Sequence, residues 1–208
     1  MDHVELSGTG TVQTTPDIAT LRLGVSFPAK TVGDALGGCA EITTRVLQAL
    51  KDMGITGRDV QTTSLSVDPQ WDPQRPEIVG HTANQYLNVR LRELPKIGAA
   101  ISAASESAGN ALRMDSLSWS VSNPEPLHDK ARELAFAAAL DKAKALADLG
   151  GRALGRVTRI HEDDAGSWGG GGGREYKMLS AAAADMPTEA GEQGVSVTVR
   201  VRWQLLDR

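Results

Sequence analysis

Five arginines occupy the polar positions of the three clearest strand patterns in the sequence: Arg22, Arg90, Arg92, Arg200 and Arg202. A guanidinium presents a rigid fork of N–H donors that matches a carboxylate bidentately. If the three strands share one sheet, these side chains crowd one solvated face, which would suit recognition of carboxylates on a partner surface. The alternative is a solvated face whose arginines are balanced by nearby acidic residues.

Residues that could perform catalysis or bind a metal do not form a recognisable constellation. The histidines His3, His81, His128 and His161 are scattered, and none is paired with another at metal-ligand spacing. The acidic run 162–164 could bind a cation weakly, but a solvated strand end explains it better. The sequence contains no Gly-x-Ser-x-Gly nucleophile motif. We therefore predict no catalytic residue, no cofactor and no metal, although triads dispersed in sequence keep a hydrolase as a distant alternative.

Two glycine motifs resemble nucleotide-binding loops without meeting their requirements. Gly8-Thr9-Gly10 has Gln13 where a dinucleotide fingerprint needs its third glycine, and strands are predicted on both sides. We interpret it as a turn. The run Gly169–Gly173 is followed by Arg174 and not by the Gly-Lys-Ser/Thr of a P-loop.

The composition describes an acidic globular protein with an aliphatic core. Of the 208 residues 40% are hydrophobic and only 4% aromatic, and the net charge is −4. This balance argues against a dedicated nucleic-acid binder, which normally presents a basic surface. The single cysteine, Cys39, excludes an intrachain disulfide and falls on the apolar stripe of a predicted helix. A buried, inert thiol is the favoured interpretation, with a reactive thiol or intermolecular bridge as the alternative.

The sequence contains no membrane-spanning segment and leaves the location of the protein open. No stretch approaches the roughly 20 apolar residues that a transmembrane helix needs. The first residues run directly into a predicted strand, without a basic region and apolar core typical of a signal peptide. The protein is then cytoplasmic, or periplasmic or secreted if a signal peptide has been removed.

Alternation of apolar and polar residues predicts three strong strands, at 19–27, 83–92 and 195–205. One buried and one solvated face per strand is typical of antiparallel sheets. Weaker strands are expected near 4–7, 60–67, 117–121 and 157–161. Apolar residues at helical spacing predict long helices at 31–53 and 126–149 and a short one at 95–109. The alanine-rich face of the 126–149 helix would let it lie close to a sheet.

The predicted order of elements is a leading strand followed by two β-α-β-β groups. We expect one α+β domain over residues 1–208, with a pseudo-repeat whose halves, 1–93 and 111–208, are joined by a helix at 94–109. Two segments fit no regular element: the proline-containing 68–77 and the glycine-rich 165–193. We expect residues 165–184 to be mobile or ordered by a partner, in preference to forming a lid.

Several sequence blocks together resemble the SIMPL family: 4–12, 16–25, 59–69, 79–84, 123–132 and 154–157. The resemblance extends over essentially the whole chain. It implies a bacterial protein of the periplasm or envelope, linked to stress responses, whose relatives in some cases form rings or channel-like oligomers. It implies no catalytic residue or cofactor. The glycine run and the lack of a recognisable signal peptide depart from the family pattern.

We therefore expect a non-enzymatic, homo-oligomeric protein with a stress- or envelope-related scaffolding role. A small-molecule or partner-binding module with a pocket between sheet and helices is the alternative. The last strand is long and contains no proline, so it is either a central strand paired on both sides or an edge that pairs with a second chain. Trp203 would then be an apolar anchor if it projects past the core, or would otherwise close the end of the sheet in a monomer.

Overall fold

The computed structural model of the protein describes residues 2–163 and 188–207 and confirms the α+β class. The strands are β1 (His3–Thr14), β2 (Ile18–Ala29), β3 (Val60–Trp71), β4 (Ile78–Leu91), β5 (Leu112–Ser120), β6 (Ala153–Asp163) and β7 (Gln193–Leu206). The helices are α1 (Val32–Asp52), α2 (Ile97–Ala108) and α3 (Glu125–Leu149). In this part of the chain, no helix combines the length and the apolarity needed to cross a bilayer.

The described residues form two compact units, each with one antiparallel sheet. The central unit contains residues 17–120 and 188–190, and its sheet has the order β3-β4-β2-β5. The terminal unit contains residues 2–16, 121–163 and 191–207, and its sheet has the order β1-β7-β6. The elements follow one another in the predicted order, but β5 pairs with β2 and β1 pairs with β7. Pairing therefore does not respect the sequence halves 1–93 and 111–208.

The core of the central unit is aliphatic, as the composition predicts. The alternation in β2 and β4 buries residues such as Leu21, Leu23 and Leu87, and α1 covers them. Helix α1 begins where the sequence indicates, because the Thr31 side chain accepts a hydrogen bond from the Asp34 backbone N–H at 3.1 Å. It ends before Gly54, whose positive φ of 85° suits the position after a helix C-cap.

The core of the terminal unit is built from small residues. Every fourth residue of α3 is a buried alanine: Ala131, Ala135, Ala139, Ala143 and Ala147. The first four of these alanines form one hydrophobic cluster with β7. This face lies on β1 at its two glycines. A Cβ added to Gly8 would lie 2.1 Å from the Ala135 carbonyl oxygen, and one added to Gly10 would lie 2.2 Å from that of Ala131.

The interpretation of Gly8-Thr9-Gly10 as a turn is wrong. These residues lie in the middle of β1, where Gly8 pairs with Val199 and Gly10 with Val197. The glycines are needed because the helix backbone approaches the strand too closely for any side chain. The same close approach explains why a strand expected at 4–7 extends over His3–Thr14.

The segment 68–77 is only partly irregular. Strand β3 continues through Pro69 to Trp71, and only the connection from there to Ile78 lies outside the strands. An edge strand tolerates a proline because the missing N–H can face away from the sheet. Most of the 165–193 segment, including the glycine run and the residues expected to be mobile, lies outside the described residues.

Candidate functional site

The predicted single face of five arginines does not form. Arg22, Arg90 and Arg92 belong to the central unit, whereas Arg200 and Arg202 belong to the terminal unit. The prediction required the three strongest strands to share one sheet. Instead, β7 pairs with β1 and β6, while β2 and β4 pair with each other. The arginines are therefore distributed over two separate sheets.

Arg22 makes contacts within its own sheet. Its Nε lies 3.2 Å from the Asp115 carboxylate, and its guanidinium carbon lies 5.3 Å from the centre of the Tyr86 ring. The ring in turn covers Gly24, where an added Cβ would lie 2.8 Å from a ring carbon. The position of Arg22 is thus explained by a cation–π contact and an ion pair on the solvated face.

Arg90 and Arg92 line a cleft of about 190 Å³ next to the end of α1. Arg58 and Lys96 also line it, together with two acidic residues, Asp59 and Glu93. Three of the four cations pair with these acids: Arg92 and Arg58 lie 3.2 and 3.7 Å from Asp59, and Lys96 lies 2.8 Å from Glu93. Two carboxylates therefore balance half of the positive charge in the central cleft.

Arg200 and Arg202 lie on one face of the terminal sheet. Glu5, Arg159 and His161 lie on the same face. We call these five residues the arginine face. The pKa of the Glu5 carboxyl is lowered, first because the Arg202 side chain donates a hydrogen bond to it. The charges of Arg202, Arg159 and Arg200 lower it further, although partial burial opposes them.

Sequence reasoning missed Arg159 and His161 because β6 lacks a regular alternation. Its pairing with β7 shifts register twice, between Leu154 and Val157 and between Val157 and Arg159. Each shift moves the following residues to the opposite face, so the pattern in the sequence no longer reports which face a residue occupies.

Trp203 is buried and is not a projecting anchor. It is 2% exposed and packs against Phe136 with ring centres 6.1 Å apart. The reason is the position of its strand, because β7 is the central strand of its sheet and is paired on both sides over most of its length. Of the two alternatives for the last strand, the central strand is therefore confirmed and the open edge is wrong.

Exposed large apolar side chains near a sheet edge lie on the β3–β4 hairpin instead. Four side chains are about half exposed: Leu65 (58%), Trp71 (58%), Ile78 (49%) and Val79 (52%). We call these four residues the apolar arm. Pairing between β4 and β2 ends at His81, so the tip of the hairpin extends beyond β2. Among the described residues, β3 pairs only with β4 and is an edge strand.

The remaining candidates from the sequence have structural roles. Cys39 is buried as predicted, its thiol lies 3.5 Å from the Val25 carbonyl oxygen, and burial raises its pKa. In the acidic run, Glu162 accepts hydrogen bonds from Arg132 at 2.9 and 3.1 Å, which is the main cause of the raised pKa of Arg132. Within residues 2–163 and 188–207, no group of three or more His, Cys, Asp or Glu residues is placed to hold a metal.

Comparison with known families identifies the chain. The SIMPL family, described as a protein of unknown function (DUF541), matches residues 4–203. The chain belongs to the SIMPL family. It is 32% identical to the 26 kDa periplasmic immunogenic protein of Brucella melitensis biotype 1, over 98% of this chain and 84% of that protein. It is also 32% identical to the uncharacterized protein YggE of Escherichia coli (strain K12), over 76% of this chain and 64% of that protein.

Proposed function

We propose that this SIMPL protein is a non-enzymatic scaffold of the cell envelope that associates with further copies of itself through the apolar arm. The observation that carries the proposal is the exposure of Leu65, Trp71, Ile78 and Val79 on an edge hairpin. The envelope location rests on similarity to a relative that is named a periplasmic protein. A role in stress responses rests on the family resemblance alone.

The physical argument is the free energy that is gained when these apolar side chains are removed from water. Burial of a large apolar side chain stabilises a contact by about 1.5–3 kcal/mol. Trp71 and Ile78 pair directly across the hairpin, and exposed apolar side chains that lie together in soluble proteins usually mark an interface. A second copy of the arm offers the same apolar side chains, so a two-fold contact between arms would bury both sets at once.

The edge of β3 determines how such a contact forms. An unpaired edge presents N–H and C=O groups that can pair with another strand. Pro69 lacks a donor, and the pairing of β3 with β4 shifts register between Thr62 and Ser64 and again next to Trp71. These irregularities interrupt a continuous backbone ladder. We therefore expect apolar side-chain packing to contribute more than strand pairing.

The pKa shifts of Glu5, Cys39 and Arg132 are explained by contacts within the chain. Glu5 and Arg132 are shifted mainly by ion-paired hydrogen bonds within the chain, and Cys39 by burial in the core. Each shift thus has a cause that requires no substrate.

Sedimentation velocity at micromolar concentration tests the proposal. The wild-type protein is expected to sediment as a species larger than the 22.0 kDa chain. The double substitution Leu65→Lys/Trp71→Lys is expected to shift the population to the monomer, because two lysines on an edge hairpin disfavour both apolar packing and pairing.

The matched control is Leu146→Lys/Leu149→Lys, which adds the same charge at two exposed apolar positions of α3. It should leave the assembly intact. A wild-type protein that sediments only as a 22.0 kDa species would refute the scaffold proposal. An assembly that survives the substitutions in the arm would remove the arm from the interface.

A further inference from the structure

The arginine face of the terminal unit contains more positive charge than its own carboxylates compensate. Arg159, Arg200 and Arg202 present three guanidiniums, and His161 lies beside them. We propose that this face is a binding site for a tetrahedral oxyanion, the phosphate or sulfate group of a small molecule. The site is independent of the apolar arm, which belongs to the other unit.

The register of the sheet places two arginines directly opposite one another. Arg159 of β6 pairs with Arg202 of β7, and His161 pairs with Arg200 in the next row of the same face. Like charges at directly opposed positions destabilise a sheet. An anion bound between the strands would remove this repulsion, so the arrangement is one that a bound oxyanion stabilises.

The carboxylates on this face are too few for the guanidiniums. Glu5 of β1 pairs with Arg202 along the edge of β7 that faces away from β6, and its carboxylate accepts a hydrogen bond from that arginine. Asp163 lies 3.7 Å from Arg200 and also 3.5 Å from His161. Among the described residues, Arg159 has no ion pair. Within residues 2–163 and 188–207, one guanidinium is thus without an ion pair and a second has only a long contact.

Glu5 shows how this environment acts on an oxyanion. All three arginines stabilise its ionised carboxylate, and its pKa is lowered as a result. A ligand oxyanion placed beside Arg159 and Arg200 would experience the same positive field. Guanidinium groups suit such a ligand because they donate in parallel pairs to phosphate oxygens.

The size of the depression between these side chains limits the ligand. Its volume is about 80 Å³, and Glu5, Arg159, His161, Arg200 and Arg202 line it. This is several times the roughly 10–15 Å³ that a cavity needs to hold one water molecule. The space accommodates one tetrahedral group and leaves the remainder of a ligand in solvent. The central cleft is larger, but acids there pair with three of its four cations.

Isothermal titration calorimetry of the full chain with inorganic phosphate, at constant ionic strength, tests the proposal. Wild type is expected to show saturable binding. Arg159→Gln should weaken it about tenfold or more, because a hydrogen bond to a charged group is lost. Glu5→Gln should tighten it several-fold, because the internal carboxylate no longer competes for Arg202.

The matched control is Arg156→Gln, an exposed arginine of the same strand that does not line the depression. It changes the net charge equally and should leave phosphate binding unchanged. Without phosphate, Arg159→Gln should change the unfolding temperature little, because the substitution removes both the repulsion from Arg202 and the attraction to Glu5. A large drop in the unfolding temperature would indicate that Arg159 is a structural residue and would overturn the proposal.

Further titrations identify the source of the oxyanion. Equal affinity for sulfate and phosphate would support recognition of the tetrahedral group itself, and tighter binding of glucose 1-phosphate would support a phosphorylated small molecule. Equal affinity for acetate would overturn the tetrahedral assignment. No saturable phosphate binding, or an equal loss in Arg156→Gln and Arg159→Gln, would overturn the site.

Discussion

Each unit packs a long helix against a sheet, but the side chains at the interface are large in the central unit and small in the terminal unit. In the central unit, α1 packs side chains such as Ile42, Val46 and Leu50 against the leucines and valines of β2 and β4. In the terminal unit, α3 presents alanines, and the strand below it carries glycines where the helix backbone touches. Large side chains hold one helix above its sheet, whereas their absence lets the other helix lie directly on it.

This difference predicts opposite sensitivities. Protein interiors are packed to crystal-like density, so neither removed nor added volume is tolerated. The central interface has large side chains to lose, and substitution there creates cavities. The terminal interface has no room for an added side chain. Substitution of its glycines creates clashes with backbone atoms of the helix, which cannot move aside as a side chain can.

The largest expected effect is that of adding a side chain to the terminal interface. Gly8→Val would place its Cβ 2.1 Å from the Ala135 carbonyl oxygen, so the helix or the strand must move. We expect a loss of about 4 kcal/mol or more in the free energy of unfolding. Urea denaturation followed by circular dichroism measures the change.

A glycine with open space provides the control for this prediction. Gly37 lies inside α1, and an added Cβ would meet no atom within 4 Å. Gly37→Ala should therefore stabilise the protein by about 0.5–1 kcal/mol, since alanine restricts the unfolded chain more than glycine does. If both substitutions destabilised the protein similarly, close packing would not be the reason for the glycines in β1.

An intermediate effect is expected when volume is removed from the central interface. Leu87 is 1% exposed, and Leu87→Ala leaves a cavity under α1. We expect a loss of about 3 kcal/mol in the free energy of unfolding, from the lost transfer energy and the cavity together. Leu149→Ala removes the same atoms from a residue that is 85% exposed and should change stability by less than about 0.5 kcal/mol. Equal effects of the two substitutions would contradict the assignment of the central core.

The smallest effect is expected on the solvated face of the terminal sheet, which is not part of the interface between helix and sheet. The pKa of Glu5 is lowered from the ordinary value of 4.5, so its ionised form stabilises the folded state. This stabilisation is fully present above about pH 4.5 and is lost as the pH falls through the lowered pKa. The stability difference between wild type and Glu5→Gln should follow that course in thermal unfolding scans between neutral and acidic pH. A difference that persists unchanged at the acidic end would show that the Arg202 ion pair is not its cause.

Local patterns in the sequence were sufficient to predict most of the elements. Period-two alternation located β2, β4 and β7, because a sheet with one covered face requires it. The cap at Thr31 and the glycine at 54 located both ends of α1. The alanine face of α3 correctly indicated close packing on a sheet. The buried state of Cys39 followed from its place in an apolar stripe.

The candidate site was less predictable, because it depends on which strands become neighbours. Alternation shows that Arg90 and Arg202 face solvent, but not that they belong to different sheets. Register shifts in β6 concealed Arg159 and His161, and the prolines around Trp71 concealed the hairpin that carries the apolar arm.

The sequence by itself determined the α+β class, the three helices and the polarity of the strand faces, because each depends on residues near one another in the chain. Only the tertiary structure decided that Gly8 lies under a helix, that Trp203 is buried in a central strand, and that Arg159 opposes Arg202. These facts depend on pairing between residues far apart in sequence. Burial, charge opposition and close approach exist only once that pairing has formed.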